Sequence, residues 1–498
     1  MNPSLLLEMV AGAVPDRRAV GAMTYGELDA RATAVAAGLR ETGATHVAFV
    51  DEYSDTVPVL FYAAQRARVP FVPLNYRLSD DGLRSALARI APAVVVAGEG
   101  QRGRCAGIEG ITLLDTPPAA TGDDTVAAPA QPDDGTAVSV LLFTSGTSGD
   151  PKIAVLRPEH LTSYVLSTVD FLSAGEDETQ LVAVPPYHIA GVSTVLTSLF
   201  AGRRIVVLPS FTPQAWVDKV VAESVTHAMV VPTMLGRILD VLEEQGAGLP
   251  LLRHLSYGGG RMPGPVVERA LRLLPHVDLV NAYGLTETSS TIAVLGPADH
   301  RAAVDSPDPA VRARLGSVGR PLPGVEVEVR SADGRPAEPG EVGEVHVRGE
   351  QVSGEYLSHD ATGADGWFPT RDRGHLDADG YLFLDGRADD VIVRGGENLS
   401  PGEIEDVLLT HPQVADAMVL GVPDAEWGEV PVAAVVPVGE VPADFDLQLR
   451  EYVRTRLRSA KTPARVILRG SLPHTDTGKA LRRVLRAELD TRVEQMCD

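Results

Sequence analysis

The sequence predicts an α/β protein. A large N-terminal domain of mostly parallel sheets and helices, with a small antiparallel subdomain, precedes a small mobile α+β C-terminal domain. Three observations carry this. Short apolar runs alternate with helical patterns up to about residue 380, the pattern of parallel strands joined by crossover helices. From residue 316 onward, short alternating strands with Gly and Pro turns take over, as in GVEVEV and GEVGEVHVRG, which is antiparallel texture. At Asp389 the pattern breaks again, and residues 389–498 are long enough to hold a core of their own. The expected domains are therefore 1–388 and 389–498.

Each element follows from local pattern. Thr24 and Glu27 form a capping box, and Leu28, Ala32, Val35 and Leu39 continue one helix face. Residues 47–50, 93–97, 138–143, 180–184 and 204–208 read as strands between such helices. The Pro-, Ala- and Asp-rich stretch 117–135 reads as an exposed connection. Ser400, Pro401 and Glu403 predict a helix start with a Ser cap; Ile404, Val407 and Leu408 form its apolar face, and His411-Pro412 ends it. Strands at 415–422 and 432–436, a helix around Leu449, Val453 and Leu457, a strand at 465–468 and a final helix complete the unit.

Composition narrows the function. Apolar residues make up 44% of 498, and the formal charge is -23, which disfavours binding to nucleic acid or an anionic membrane. An anionic substrate must then be held by local cations and backbone N–H groups. Cys105 and Cys497 stand far apart, neither a disulfide framework nor a metal-ligand spacing, and fit a reducing cytoplasm. The first residues, with Leu5, Leu6 and Leu7 but no basic stretch before them, read as a surface helix rather than a signal peptide. No apolar run reaches the ~20 residues of a membrane span. The chain reads as cytoplasmic, without membrane insertion; its oligomeric state is open, a homodimer included.

The most informative stretch is Leu141-Leu142-Phe143-Thr144-Ser145-Gly146-Thr147-Ser148-Gly149-Asp150-Pro151-Lys152. An apolar strand runs into hydroxyl residues and glycines and ends in a lysine. Glycines let successive N–H groups face one concavity, and hydroxyls and an ammonium add donors, which makes a phosphate cradle. The GxxxxGK[ST] loop is excluded, because Pro151 stands five residues after Gly146. Tyr257-Gly258-Gly259-Gly260 lacks dinucleotide-fold spacing, and no GxSxG, CxxC or HExxH string supports a serine hydrolase or zinc site.

The cradle resembles the phosphate-binding signature of the adenylate-forming (AMP-binding) superfamily, in its acyl-CoA synthetase branch, and further likenesses recur in order along the chain. Asn281-Ala282-Tyr283-Gly284-Leu285-Thr286-Glu287 resembles the family's YGxTE segment. The resemblance implies that Tyr283 stacks near adenine, Thr286 meets the α-phosphate and Glu287 binds magnesium, with Gly259 beside the nucleotide. Asp372, in WFPTRD, and Arg387, in DGRADD, are implied on the ribose, and a carboxylate can accept two hydrogen bonds from a diol. Asp389 is implied as hinge and Lys479, in TDTGK, as the catalytic lysine. Gly395-Gly396-Glu397-Asn398 is similar to the string of CoA ligases, where glycines admit a pantetheine arm. Pro185 to Gly191 resembles the opening of the acyl pocket, with Tyr187, Ser193, Gly258 and Leu285 as pocket candidates and His188 beside the carboxylate or gating the thiol. Two departures stand out: Ile153 and Arg371 occupy positions where many relatives have Gly.

The resemblance implies activation of a small-molecule carboxylic acid by ATP and Mg2+ as an acyl-adenylate, then transfer to coenzyme A. The alternative is an adenylating enzyme with another acceptor: a carrier-protein thiol, an amine, or nitrite activation toward an N–N product. The mixed small and polar pocket candidates weakly favour a compact or aryl acid.

Overall fold

The computed structural model describes residues 1–120, 137–144, 151–387, 390–395, 397–424, 426–475 and 480–495. Most of the stretch expected as an exposed connection lies outside them. So do Ser145, Gly146, Thr147, Ser148, Gly149, Asp389, Gly396 and Lys479. Among the described residues the strands form four sheets, of eight, nine, four and five strands.

The eight-stranded sheet carries parallel strands Phe71–Pro73, His46–Val50, Ala93–Ala97 and Ile111–Leu114 at one side. Val140–Thr144 joins Phe71–Pro73 in parallel and then turns back as the antiparallel strand Lys152–Leu156. Every residue of Ala93–Ala97 is buried, as a parallel strand covered on both faces requires. The nine-stranded sheet runs parallel from Asp278–Leu285 through His254–Gly258, His227–Val230, Thr179–Val182 and Arg204–Val207 to Arg18–Val20. Helices fill the crossovers. The helix Tyr25–Thr42 starts with the Thr24–Glu27 capping box, buries Leu28, Ala32, Val35 and Leu39, and ends at Gly43 in the left-handed region.

The four-stranded sheet is wholly antiparallel: Val325–Arg330, Gly343–Gly349, Phe368–Leu376 and Leu382–Arg387. Its core face carries Val325, Val329, Val345, Val347, Phe368 and Leu382, with Ile292 of the neighbouring sheet against them. The α/β architecture, the antiparallel subdomain and the α+β C-terminal region all match the sequence reading.

In the C-terminal region the hairpin Val414–Asp424 and Gly428–Pro437 is longer than its two apolar runs suggest, and Arg465–Leu468 joins it in parallel. Pro401–Leu409 is helical and buries Ile404 and Leu408 as expected. One detail differs. Ser400 is the N-cap residue but makes no cap hydrogen bond; its hydroxyl donates to Asp385 O instead, at 2.5 Å. That bond ties the helix start to the strand Leu382–Arg387. Arg261 pairs with Asp406 across the same boundary, and burial pushes the Asp406 carboxyl up despite that cation.

Candidate active site

The chemistry-bearing segments meet where parallel strands His254–Gly258 and Asp278–Leu285 end, the side of an open α/β sheet where ligands bind. Two glycines let the chain pass there. A Cβ on Gly258 would lie 2.2 Å from Ala282 O, and one on Gly284 would lie 1.7 Å from Ser290 O. No side chain fits at either position, so these strands can approach only through glycine.

After Gly284 the chain makes a tight helical turn, Thr286–Thr288, that carries Glu287. The turn is clamped from several directions. Ser353 N–H and Gly354 N–H donate to Glu287 O at 2.9 and 3.0 Å. Gln351 Nε2 donates to Thr288 O and Thr291 O at 3.0 and 2.7 Å. Ser289 and Ser290 follow with φ of 56° and 118°, a strained backbone held by that surrounding network. Glu287 is 8% exposed, and Tyr356 Oη donates to its Oε1 at 2.7 Å.

Tyr356 also faces the strand pair Val140–Thr144 and Lys152–Leu156, which flanks the segment expected to cradle phosphate. Lys152 opens the returning strand, Thr144 Oγ1 donates to Lys152 O at 3.4 Å, and Lys152 Nζ sits 4.8 Å from the centre of the Tyr356 ring. Thr144, Lys152 and Glu287 thus share one corner of the molecule.

Beside them stands a second polar group. Tyr283 Oη donates to Asp372 Oδ2 at 2.5 Å, and Arg387 Nε lies 3.1 Å from Asp372 Oδ1. Arg387 also donates to Thr370 O at 2.8 Å. Burial, then the Asp372 carboxylate, push the Tyr283 phenol well up, which keeps it a hydrogen-bond donor. Asp372 owes its aim to a bulge. Arg373 pairs with Glu344 and Pro369 with His346, so Thr370, Arg371 and Asp372 stand opposite Val345 alone. Arg371 takes a φ of 61° at that bulge, where glycine is the residue without steric cost. The two groups are electrostatic neighbours: Arg371 and Arg387 both oppose the rise that burial and Glu287 impose on the Tyr356 phenol.

The other predicted residues are placed as follows. Asn281 Nδ2 donates from the strand Asp278–Leu285 to Ser317 O at 3.0 Å; Ala282 follows it in the strand. Gly259 has a φ of 79°. Leu285 is partly buried against the antiparallel sheet. Tyr187 is buried with Leu141 and Ile153, edge-on to Tyr76 at 5.9 Å. His188, at the start of the helix Ile189–Phe200, lies 4.7 Å from the Tyr187 ring centre. Ser193, one turn along, is buried and donates to Ala190 O. Gly395 belongs to the C-terminal region, with a φ of 58° and its N–H on Trp427 O at 2.7 Å.

Sequence reasoning missed Tyr356, Gln351 and Thr370. Tyr356 sits in a strand of two residues, Glu355–Tyr356, and nothing in local pattern distinguishes it from a core aromatic. The basic run from Arg450 to Lys461 is largely spent on neighbours: Arg454 on Glu451, Arg456 on the Tyr452 ring, Arg458 on Glu397 and Lys461 on Glu403. Among the described residues, no helix is long and apolar enough to cross a membrane.

Comparison with known proteins agrees with this geometry. Residues 7–357 match the AMP-binding enzyme family and residues 403–479 the AMP-binding enzyme C-terminal domain. The chain is 32% identical to the indoleacetate–CoA ligase of Aromatoleum aromaticum, across 96% of each protein. Among solved structures it resembles the o-succinylbenzoate CoA synthetase of Bacillus subtilis in complex with its acyl-adenylate intermediate, with a TM-score of 0.83 and 29% identity over 96% of this chain and 97% of that one. It also resembles the amide bond synthetase McbA of Marinactinospora thermotolerans, with a TM-score of 0.83 and 28% identity over 98% of this chain and 99% of that one. With most of its length matched and the nucleotide-type groups gathered at one strand end, this chain belongs to the AMP-binding enzyme family.

Proposed function

We propose that this protein is an ATP-dependent acid–CoA ligase acting on an aryl or compact carboxylic acid. The observation that carries the reading is the meeting of the Lys152 hairpin, the Glu287 turn and the Asp372–Arg387 pair at one strand end. The similarity to ligases of indoleacetate and o-succinylbenzoate supports the aryl class.

In the first step a carboxylate oxygen attacks the α-phosphorus of ATP, the bond to the β-phosphate oxygen breaks, and pyrophosphate leaves. An anion approaches a polyanion and a second polyanion departs, so catalysis is chiefly positioning and electrostatic stabilisation. Thr144, Lys152 and the intervening 145–149 segment hold the outgoing phosphates, Thr286 meets the α-phosphate, and Asp372 with Arg387 hold the ribose. Lys479 bridges the carboxylate and α-phosphate, and its loss costs on the order of 3–4 kcal/mol, or ~10²–10³ in rate. In the second step the CoA thiolate attacks the acyl carbonyl and AMP leaves. His188 lies toward the acyl side, where it accompanies the carboxylate or gates the thiol.

The residues present fit a magnesium ion. Glu287 offers a carboxylate on a rigid turn, and magnesium is usually held by one or two carboxylates plus substrate phosphates and water. Bound there, it would neutralise developing phosphate charge. Because Lys479 blocks the thiol's approach, residues 389–498 rotate about Asp389 relative to 1–388 and present Gly395 and Gly396 to the pantetheine arm. The gap between the two family matches, 357 to 403, supports that division. A cytoplasmic setting, where ATP and CoA are supplied, belongs to the same reading.

The test is a panel of aryl and short-chain acids with ATP and magnesium, scored by pyrophosphate release with and without CoA. Acid-dependent release is expected from wild type and lost by ~10²-fold or more in Lys479→Ala. Release that ignores the acid, or survives that substitution, defeats the proposal.

A further inference from the structure

Among the described residues, one side chain touches both the lysine assigned here to the phosphates and the carboxylate assigned to magnesium, and no motif reading selected it. Tyr356 Oη donates to Glu287 Oε1 at 2.7 Å, while Lys152 Nζ lies 4.8 Å from the centre of its ring. Its backbone has the same double attachment. Tyr356 pairs with Ala154 of the Lys152 strand, and Leu357 N–H donates to Ile153 O at 2.9 Å. Three residues earlier, Ser353 N–H and Gly354 N–H hold the Glu287 carbonyl, and Ser353 Oγ donates to Val155 O. Residues 353–357 are therefore a clasp between the cradle hairpin and the Glu287 turn, with Tyr356 at its tip.

The chemistry at that tip is specific. Among the described residues the one hydrogen bond to the Glu287 carboxylate comes from Tyr356, at Oε1. A phenol that donates to one carboxylate oxygen fixes the rotation of the group and leaves the second oxygen available to a cation. An outer partner of this kind orients a ligating side chain and tunes its affinity. The ring face meanwhile attracts the Lys152 ammonium, so that it stands near the phosphate side rather than sampling solvent.

We propose that Tyr356 is a positioning residue for the magnesium–nucleotide complex: its hydroxyl orients the Glu287 carboxylate and its ring holds Lys152. This rests on the ligase reading of the site given above. The two functions separate by substitution, since Tyr356→Phe removes the hydroxyl and keeps the ring, whereas Tyr356→Leu removes both.

The experiment is calorimetric binding of ATP to wild type, Y356F, Y356L and E287Q, each across a magnesium titration and again in chelator, with melting temperatures recorded in parallel. Y356F should raise the magnesium concentration for half-maximal enhancement of ATP binding by about tenfold, with metal-free ATP affinity within about twofold of wild type. Y356L should show the same magnesium shift and, in addition, metal-free ATP binding weakened by about two- to fivefold. The double variant Y356F/E287Q should match E287Q, because the hydroxyl acts through that carboxylate. A melting temperature lowered in Y356F with an unmoved magnesium curve would overturn the proposal and leave Tyr356 as packing alone. Additive losses in the double variant would also overturn it, even if Y356F itself proves unstable. An unmoved magnesium curve in E287Q overturns the metal reading of the site and the proposal with it, whereas a shift in E287Q alone defeats only the role of Tyr356.

Discussion

At the residue scale, the sequence exposes chemical groups far better than it exposes their partners. Asp372, Arg387 and Glu287 stand in recognisable strings, but the hydrogen bond that brings Tyr283 to Asp372 joins residues 89 apart. Asp372→Asn should therefore weaken ATP binding by roughly tenfold or more, the worth of ~1.5–3 kcal/mol for a charged hydrogen bond. Calorimetry checks this, and unchanged affinity would remove Asp372 from the nucleotide site. Arg371 illustrates the opposite kind of miss. In sequence it is an added cation, whereas in the fold its main peculiarity is a φ of 61°. Left-handed backbone costs a non-glycine residue about 1–2 kcal/mol, partly offset by glycine's larger unfolded-state freedom. Arg371→Gly should therefore be more stable than Arg371→Ala by about 1 kcal/mol in urea unfolding. Equal stabilities would show that the bulge is unstrained.

At the element scale, the fold was legible where one local cause dominates. The Thr24–Glu27 capping box, the fully buried strand Ala93–Ala97 and the alternating Val325–Arg330 are each visible in a few consecutive residues. What was not legible depends on contacts between distant segments. Ser400 has the right identity for a helix cap, yet its hydroxyl serves Asp385, because the helix end is docked rather than free. The bulge at Thr370 to Asp372 leaves no trace in hydrophobic pattern. Glycines divide in the same way. Gly284 is required by a close approach of backbone, so Gly284→Ala should destabilise by several kcal/mol, the scale of severe overpacking. Gly236 lies within the helix Pro232–Gln245, and a Cβ there meets nothing within 4 Å. Gly236→Ala should then gain about 0.5–1 kcal/mol. Denaturant midpoints check both, and a loss at Gly236 would contradict the helix-propensity argument.

At the scale of the whole molecule, the two ends of the strands in the nine-stranded sheet have different tasks. The C-terminal strand ends carry the candidate site, and the opposite, N-terminal ends carry a stacked pair, His227 and His254, with ring centres 4.5 Å apart. Burial, then Arg203, His254 and Arg253, push the His227 imidazole down to about 2. Glu178 stands 3.6 Å away but is already paired with Arg203 at 2.8 Å. The folded protein thus keeps His227 neutral while the unfolded chain protonates it near 6.5. Its contribution to stability is complete above pH 6.5 and is lost as pH falls below that value, by up to about 1.4 kcal/mol per unit. Replacing His227 with Gln should flatten stability between pH 6.5 and 5; an unchanged slope would place the acid sensitivity elsewhere. Arg261–Asp406 and Ser400–Asp385 tie the C-terminal region to the preceding residues, the contacts that the domain rotation proposed above would have to break. The central claim, that the acyl group activated at the strand ends passes to CoA, is tested most directly by product mass. The measurement supplies ATP, magnesium, an aryl acid, CoA and a free amine together. The account predicts an acyl-CoA thioester as the main product, formed in step with AMP; an amide, or an adenylate that accumulates with no thioester, would contradict it.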